Sequence, residues 1–355
     1  IEKLLMTKTK TPGLLERLND GVVICAEGYL FELERRGYIQ AGAFVPEVVL
    51  EHPEKVYELH REFVHAGSDV VEAFTYYGHR EKLRVIGKED LLEPLNRNAL
   101  KIAKEVARES GTLFAGNICN TNIWEPGDEK THMAARAMFE EQVGWAVDAG
   151  ADFIIGETFC WTDEALAALE IIRAAGKPSV ITFAVDPEGL HDGVDATTAC
   201  KRLADAGADV VGLNCSRGPA TMLPLIGEIR SAVSCYVAAL PVPYRTNAEA
   251  VVFQNFHDAG CDCLPKGRAF PTALDPFVCN RYEIAEFATA AHAKGANYLG
   301  LCCGAGPHHV RAMAEALGRR PAASRYSPDM SKHAYEGTDA NVSNYYKGLG
   351  KKLYE

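Results

Sequence analysis

Two cysteines stand side by side, Cys302 and Cys303 in YLGLCCGAG, where an apolar run gives way to glycines. A third, Cys215, closes another apolar run, VVGLNC. Thiolates are nucleophiles and soft metal ligands. Three of them with one coordination position left open describe a catalytic zinc site, because structural zinc has all four positions filled by protein. An adjacent pair is unusual for structural zinc, whose cysteines favour two-residue spacing, but it suits a strand end that turns into a glycine loop. Gly304 and Gly306 let the backbone bend there. Two other readings stay open: three plain buried cysteines acting as small hydrophobes, and a rival metal pair at Cys261 and Cys263 in a long loop. Cys25, Cys119, Cys160, Cys200, Cys235 and Cys279 show no partner pattern and read as fillers.

For the three thiols to meet, the elements carrying them must end at one place. One phrase recurs four times: HAGSDVVEAFTY from His65, DAGADFIIGETF from Asp148, DAGADVVGLNC from Asp205 and AKGANYLGLCC from Ala293. Each follows helix-like sequence, so each reads as a helix stopped by glycine (Gly67, Gly150, Gly207, Gly295) and then a short apolar strand. Apolar runs at 22–27, 113–119, 179–185 and 236–242 bring the strands to eight, with helix-period stretches between them. Continuous apolar strands are buried on both faces, as in a parallel sheet covered by helices. The expectation is an α/β fold, a TIM (β/α)8 barrel, with an open doubly wound sheet as the competitor. Chemistry in a TIM barrel sits at the C-terminal ends of the strands, which here carry Glu27, Phe74 to Tyr77, Asn117, Glu157, Cys215, Cys302 and Cys303. The barrel domain spans residues 12–320. The connection after strand 7, from Tyr244 to about Asn280, is too long for a simple βα loop and reads as a lid or an interface element. Residues 321–355 read as a polar C-terminal extension able to reach a second subunit, and a homo-oligomer is expected.

Composition agrees with small-molecule chemistry. A net charge of −11 over 355 residues argues against a nucleic-acid surface. No run approaches the roughly 20 apolar residues of a membrane helix. Eleven cysteines, an odd number without a secretory signal, point to reduced thiols and a cytoplasmic protein.

GLNC ending at Cys215 and GLCCGAGPHHVRAMAEAL from Gly300 resemble the zinc signatures of the homocysteine S-methyltransferase family. GLLERLNDG, FELERRGYIQAGAFVPEVVLEHPE, LHREFVHAGSDVVEAFTYYG and the PEG of DPEGLHDG extend the resemblance to about residue 320 and narrow it to the betaine-using branch. The resemblance implies Zn2+ on Cys215, Cys302 and Cys303. It also implies methyl transfer from betaine, or a related onium such as a sulfonium or cyclic betaine, to homocysteine, giving methionine. Glu157 matches the glutamate that holds the α-amino group, and Phe44, Tyr76 and Tyr77 match aromatic positions that line the donor site. Backbone N–H groups around Gly28 and Ala73 would take the carboxylate of the amino acid.

Two positions depart from the family pattern. The acid after strand 1 is displaced by one, as Ala26-Glu27-Gly28. A one-residue shift turns a strand side chain to the opposite face, so Glu27 is expected to serve only if its loop rearranges. The tyrosine that follows the family's glutamate is Thr158 here, with Phe159 and Trp161 the nearby aromatics able to compensate. A corrinoid-linked zinc methyltransferase module, and a zinc- and homocysteine-binding barrel without catalysis, remain the alternative functions.

Overall fold

The computed structural model describes residues 11–260 and 267–354, so Cys261 and Cys263 lie outside the described residues. Eight parallel strands close into a barrel: β1 (Val23–Ala26), β2 (Val70–Glu72), β3 (Leu113–Cys119), β4 (Phe153–Phe159), β5 (Ser179–Phe183), β6 (Val210–Asn214), β7 (Tyr236–Leu240) and β8 (Tyr298–Leu301). Closure is made by β8 against β1, in register from Val23–Tyr298 to Ala26–Leu301, which excludes the open sheet. Helices fill the β-to-β connections and pack on the outer face of the barrel. No described helix is long and apolar enough to cross a membrane.

The recurring phrase has a mechanical meaning. Its glycines are all left-handed, with φ of 117° at Gly67, 85° at Gly150, 92° at Gly207 and 89° at Gly295, which lets each helix stop without a Cβ penalty. In the first three, the aspartate two residues later then reaches across to an earlier strand. Asp69 accepts from the Ile24 N–H, Asp152 from Phe114 and Asp209 from Ser179, at 2.8, 2.8 and 2.9 Å. The first three joints thus each end a helix, start a strand and pin a neighbouring strand in register; at the fourth, Asn297 stands in place of aspartate and its backbone carbonyl accepts from the Val23 N–H.

Side chains alternate in and out along every strand. Val23, Cys25, Val70, Leu113, Ala115, Phe153, Ile155, Val180, Val210, Ala238, Leu240 and Tyr298 point inward and form one buried cluster, joined by Leu14 and Leu18 of the helix Leu14–Asp20 below them. The alternate set, including Ile24, Phe114, Ile154, Ile181 and Val211, meets the helices.

The described residues of the segment after β7 form an aromatic stack on the rim. Tyr244 stacks on Phe253 at 5.6 Å, and Phe256 on Phe277 at 4.3 Å. The Phe253 N–H donates to the Ser216 carbonyl beside β6, and Arg35 donates to the Tyr244 hydroxyl. Beyond residue 320, short turns lead to a last helix, Asn344–Tyr354.

Candidate active site

The inward alternation continues to the C-terminal end of the barrel and changes its chemistry there. After Val23 and Cys25 comes Glu27, and after Val70 comes Glu72. Asn117, Glu157, Thr182, Asn214 and Cys302 follow on β3, β4, β5, β6 and β8, all of them buried. This corrects the expectation for Glu27. Its place two residues after the inward Cys25 already turns it inward, and its carboxylate lines the central cavity without any rearrangement of the loop.

The three thiols meet at this level. Cys215 Sγ lies 3.9 Å from Cys303 Sγ, Cys302 Sγ lies 3.8 Å from Cys303 Sγ, and all three sulfurs fall within 4.8 Å of one another. Cys215 and Ser216 both adopt left-handed backbone, φ 57° and 50°, a conformation that non-glycine residues rarely take and that turns the chain sharply after β6. Gly304, at φ 93°, turns the other loop, and a Cβ there would come 2.1 Å from the Tyr244 hydroxyl, so both conformation and space call for glycine. Hydrogen bonds from Cys302 and Cys303 hold the Cys215 thiol well below the usual thiol range, while those two are pushed up by the same sharing.

Opposite the sulfurs stands a set of buried carboxylates. Glu157 accepts 2.7 Å hydrogen bonds from Asn117 Nδ2 on one oxygen and Asn214 Nδ2 on the other. Asn117 also donates to Glu72. Asn214 donates to Thr158 Oγ1 at 2.9 Å and approaches Cys302 Sγ at 3.8 Å, while its own oxygen accepts from the Thr158 N–H and Thr182 Oγ1. Among the described residues, neither oxygen of Glu27 nor Oε2 of Glu72 has a partner. Burial, then repulsion from Glu157, pushes the Glu27 and Glu72 carboxyls well above the usual range, and burial raises Glu157 to about 7 against the pull of Asn117. Three buried acids, two of them with unfilled oxygens, are suited to a cation.

The aromatic side is only partly as expected. Tyr76 lines the cavity, with Tyr29 and Phe74. Tyr77 (φ 58°) packs on Tyr76, ring centres 4.2 Å apart, and stands outside the cavity wall with Lys82 Nζ 3.8 Å from its ring centre. Phe44 (φ 55°) also stands off the wall, against Phe31 at 5.6 Å. Ala73 lines the cavity, but its N–H donates to the Ala115 carbonyl, so that amide is not free to take a carboxylate. Gly28 opens the helix Tyr29–Arg35 and packs so closely on the β8 loop that a Cβ would lie 2.2 Å from the Ala305 carbonyl oxygen. Phe159 faces away, against Phe139, and Trp161 lies in a neighbouring rim pocket with Trp124 and His191. Thr158 fills its own place with a hydroxyl that belongs to the Glu157–Asn214 network. Glu72, Asn214 and Lys82 were not singled out by their sequence context; inward parity would have found the first two.

The family model for homocysteine S-methyltransferase matches residues 24–317. Betaine–homocysteine S-methyltransferase 1 of Danio rerio is 37% identical over 313 residues, covering 86% of this chain and 75% of the relative. S-methylmethionine–homocysteine S-methyltransferase BHMT2 of Mus musculus is 35% identical, covering 93% and 87%. The metallated form of the Escherichia coli homocysteine methyltransferase MmuM shares the fold, with a TM-score of 0.65 at 20% identity over 84% of this chain and 98% of that one. With a closed eight-stranded barrel, a thiol cluster at its C-terminal rim and a family match spanning that barrel, the chain belongs to the homocysteine S-methyltransferase family and is an S-methyltransferase.

Proposed function

We propose that this enzyme moves a methyl group from betaine or a related small onium compound to the sulfur of homocysteine, forming methionine, with zinc held by Cys215, Cys302 and Cys303. The observation that carries the reading is the spacing of the sulfurs. Tetrahedral zinc with bonds of about 2.3 Å requires neighbouring sulfurs about 3.8 Å apart, and the Cys303 contacts measure 3.8 and 3.9 Å. Three cysteines leave the fourth position to the substrate sulfur. Zinc, when bound, supplies the positive charge that keeps the homocysteine thiol deprotonated at neutral pH.

The protein's own residues do the rest. Glu157, clamped by Asn117 and Asn214, is aimed to receive the α-ammonium of homocysteine, and that cation relieves the repulsion among Glu157, Glu72 and Glu27. The Gly28 amide is assigned to the carboxylate. Tyr76 presents aromatic surface to the donor from the cavity wall, backed by Tyr77, and cation–π attraction there is worth about 0.5–2 kcal/mol. The donor's bond from nitrogen or sulfur to methyl breaks, a new sulfur–methyl bond forms, and the neutral amine or thioether leaves. The thiol proton has already gone to solvent. Because an onium and a thiolate neutralise each other in this step, a site that replaces water with fixed protein groups favours it. A cytoplasmic setting follows from the same proposal, since the thiols must stay reduced to hold metal, and a homo-oligomer is proposed with it.

The test is a panel of onium donors offered with homocysteine to the zinc-loaded full chain, without cobalamin. Methionine should form and one zinc should bind per chain; no product until a corrinoid is added would replace this reading with the corrinoid-linked one.

A further inference from the structure

The loops after β3, β4 and β5 enclose a second pocket at the rim. Its volume is about 240 Å3, and it shares no lining residue with the cavity that meets the thiols. Trp124 and Trp161 supply its aromatic surface. The Trp124 indole is stacked on His132 at 4.0 Å, and the Trp161 indole meets His191 edge-on at 5.2 Å. His191 is anchored in turn, its backbone N–H donating to the Cys160 carbonyl at 2.9 Å and its ring pairing with Asp186 at 3.0 Å. Glu164, on the helix Thr162–Ala174, is only 1% exposed yet lines the same pocket. Its Oε1 accepts from both the N–H and the hydroxyl of Thr121, at 2.8 and 2.6 Å, whereas among the described residues its Oε2 takes neither a hydrogen bond nor an ion pair. Among those residues no lysine or arginine lines the pocket. Cys160 in its wall feels the acids: burial first, then Asp186 and Glu164, push its thiol up to about 12.

We propose that this rim pocket is a second binding site, for a small quaternary ammonium cation, separate from the cavity in which the methyl group moves. A buried carboxylate with one oxygen unfilled calls for a cation, and two indoles favour one that gives up its water easily. A primary ammonium carries three N–H donors that need acceptors, and the pocket offers one free carboxylate oxygen. A quaternary ammonium has no N–H and asks only for negative charge and aromatic surface. The partition between the two sites is thin. Asn120, in the pocket wall, donates to the Thr158 carbonyl at 2.9 Å, and the Thr158 hydroxyl belongs to the Glu157–Asn214 network. An occupant thus sits one hydrogen-bonded residue from Glu157 without reaching the sulfurs. The inference goes beyond the proposed function and does not depend on which donor is used.

Two of the chain's three tryptophans line this pocket, and the third, Trp145, lies on the helix Glu129–Ala149, so indole emission reports on the site. Titrating the full chain with choline should change that emission in a saturable way. Ethanolamine, and dimethylbutanol as the uncharged isostere with carbon in place of nitrogen, should each bind about tenfold more weakly or worse. Glu164→Gln, which keeps an oxygen for Thr121, should weaken choline binding by about tenfold. Trp161→Leu should hold one choline fewer per chain than wild type in equilibrium dialysis. Both variants leave Glu27, Glu157 and Tyr76 untouched, so choline held in the central cavity drops out of the difference; should Trp161→Leu fail to fold, the Glu164→Gln titration still decides. No saturable change in emission, equal binding of ethanolamine or dimethylbutanol, or an unchanged choline affinity in Glu164→Gln overturns the inference. Failure of the proposed function reads differently: methionine would not form, and these titrations would stand as they are.

Discussion

The lower and upper halves of the barrel interior are built from the same strands by the same alternation, yet they follow opposite rules. Below, Val23, Leu113, Phe153, Val180 and Tyr298 pack as an apolar plug. Above, the next inward positions are Glu27, Glu72, Asn117, Glu157, Asn214 and Cys302, with carboxylate oxygens left unfilled among the described residues. The non-glycine left-handed residues Tyr77, Thr158, Cys215 and Ser216 follow strand ends or terminate them on the upper side. A fold that buries unpaired charge and bends its backbone awkwardly at one end must hold itself together at the other. Stability and chemistry are thus assigned to separate layers of one interior.

That separation can be broken by substitution. Cys215→Ala should abolish zinc binding and cut methyl transfer by more than about a hundredfold, given that loss of an outer-shell partner alone costs tenfold to a hundredfold. With metal removed from both, the variant and wild type should unfold at nearly the same temperature, since bound metal itself would raise the midpoint; a collapse of the variant's midpoint would make the thiol cluster part of the structural core. Phe153→Ala should do the reverse, removing about 3–5 kcal/mol of stability while kcat per folded molecule is kept. Equal losses of stability and turnover would mean that the layers are not independent.

A third expectation concerns pH. Burial raises Glu157 from 4.5 to about 7, so between those values the folded protein holds a proton that the unfolded chain has released. The metal-free protein should therefore be more stable near pH 4.5 and lose roughly 3 kcal/mol as pH rises through about 7. Denaturant titrations across that range read the slope. Glu157→Gln should flatten it and weaken homocysteine binding; an unchanged slope would move the charge burden to Glu27 and Glu72.

Much of the lower layer was legible in the chain, because Gly67, Gly150, Gly207 and Gly295 end helices by a local rule and the apolar runs after them need no tertiary information. The thiols were legible too, since adjacent Cys302 and Cys303 at a strand end have few bland explanations. The carboxylate set was not. Glu72 looks like the place where an apolar run stops, and only closure of the barrel makes it an inward residue beside Asn117. Asn214 was hidden by the louder Cys215 that follows it. For Glu27, pattern matching against relatives gave the wrong face, whereas parity with Val23 and Cys25 gives the right one. Lys82 meets Tyr77 from the short helix Arg80–Val85, a contact that only the folded rim creates.

The left-handed threonine at 158 also bears on how this enzyme would respond to breeding for heat resistance. A β-branched residue in that conformation is strained, so a screen that scores only survival at high temperature would favour glycine or asparagine there. Glycine would take away the hydroxyl that bonds Asn214 and Glu157, and asparagine would put a different group in its place. Such a screen would enrich sturdy barrels with poor turnover, and a library built for industrial use should hold position 158 fixed while it searches the helices.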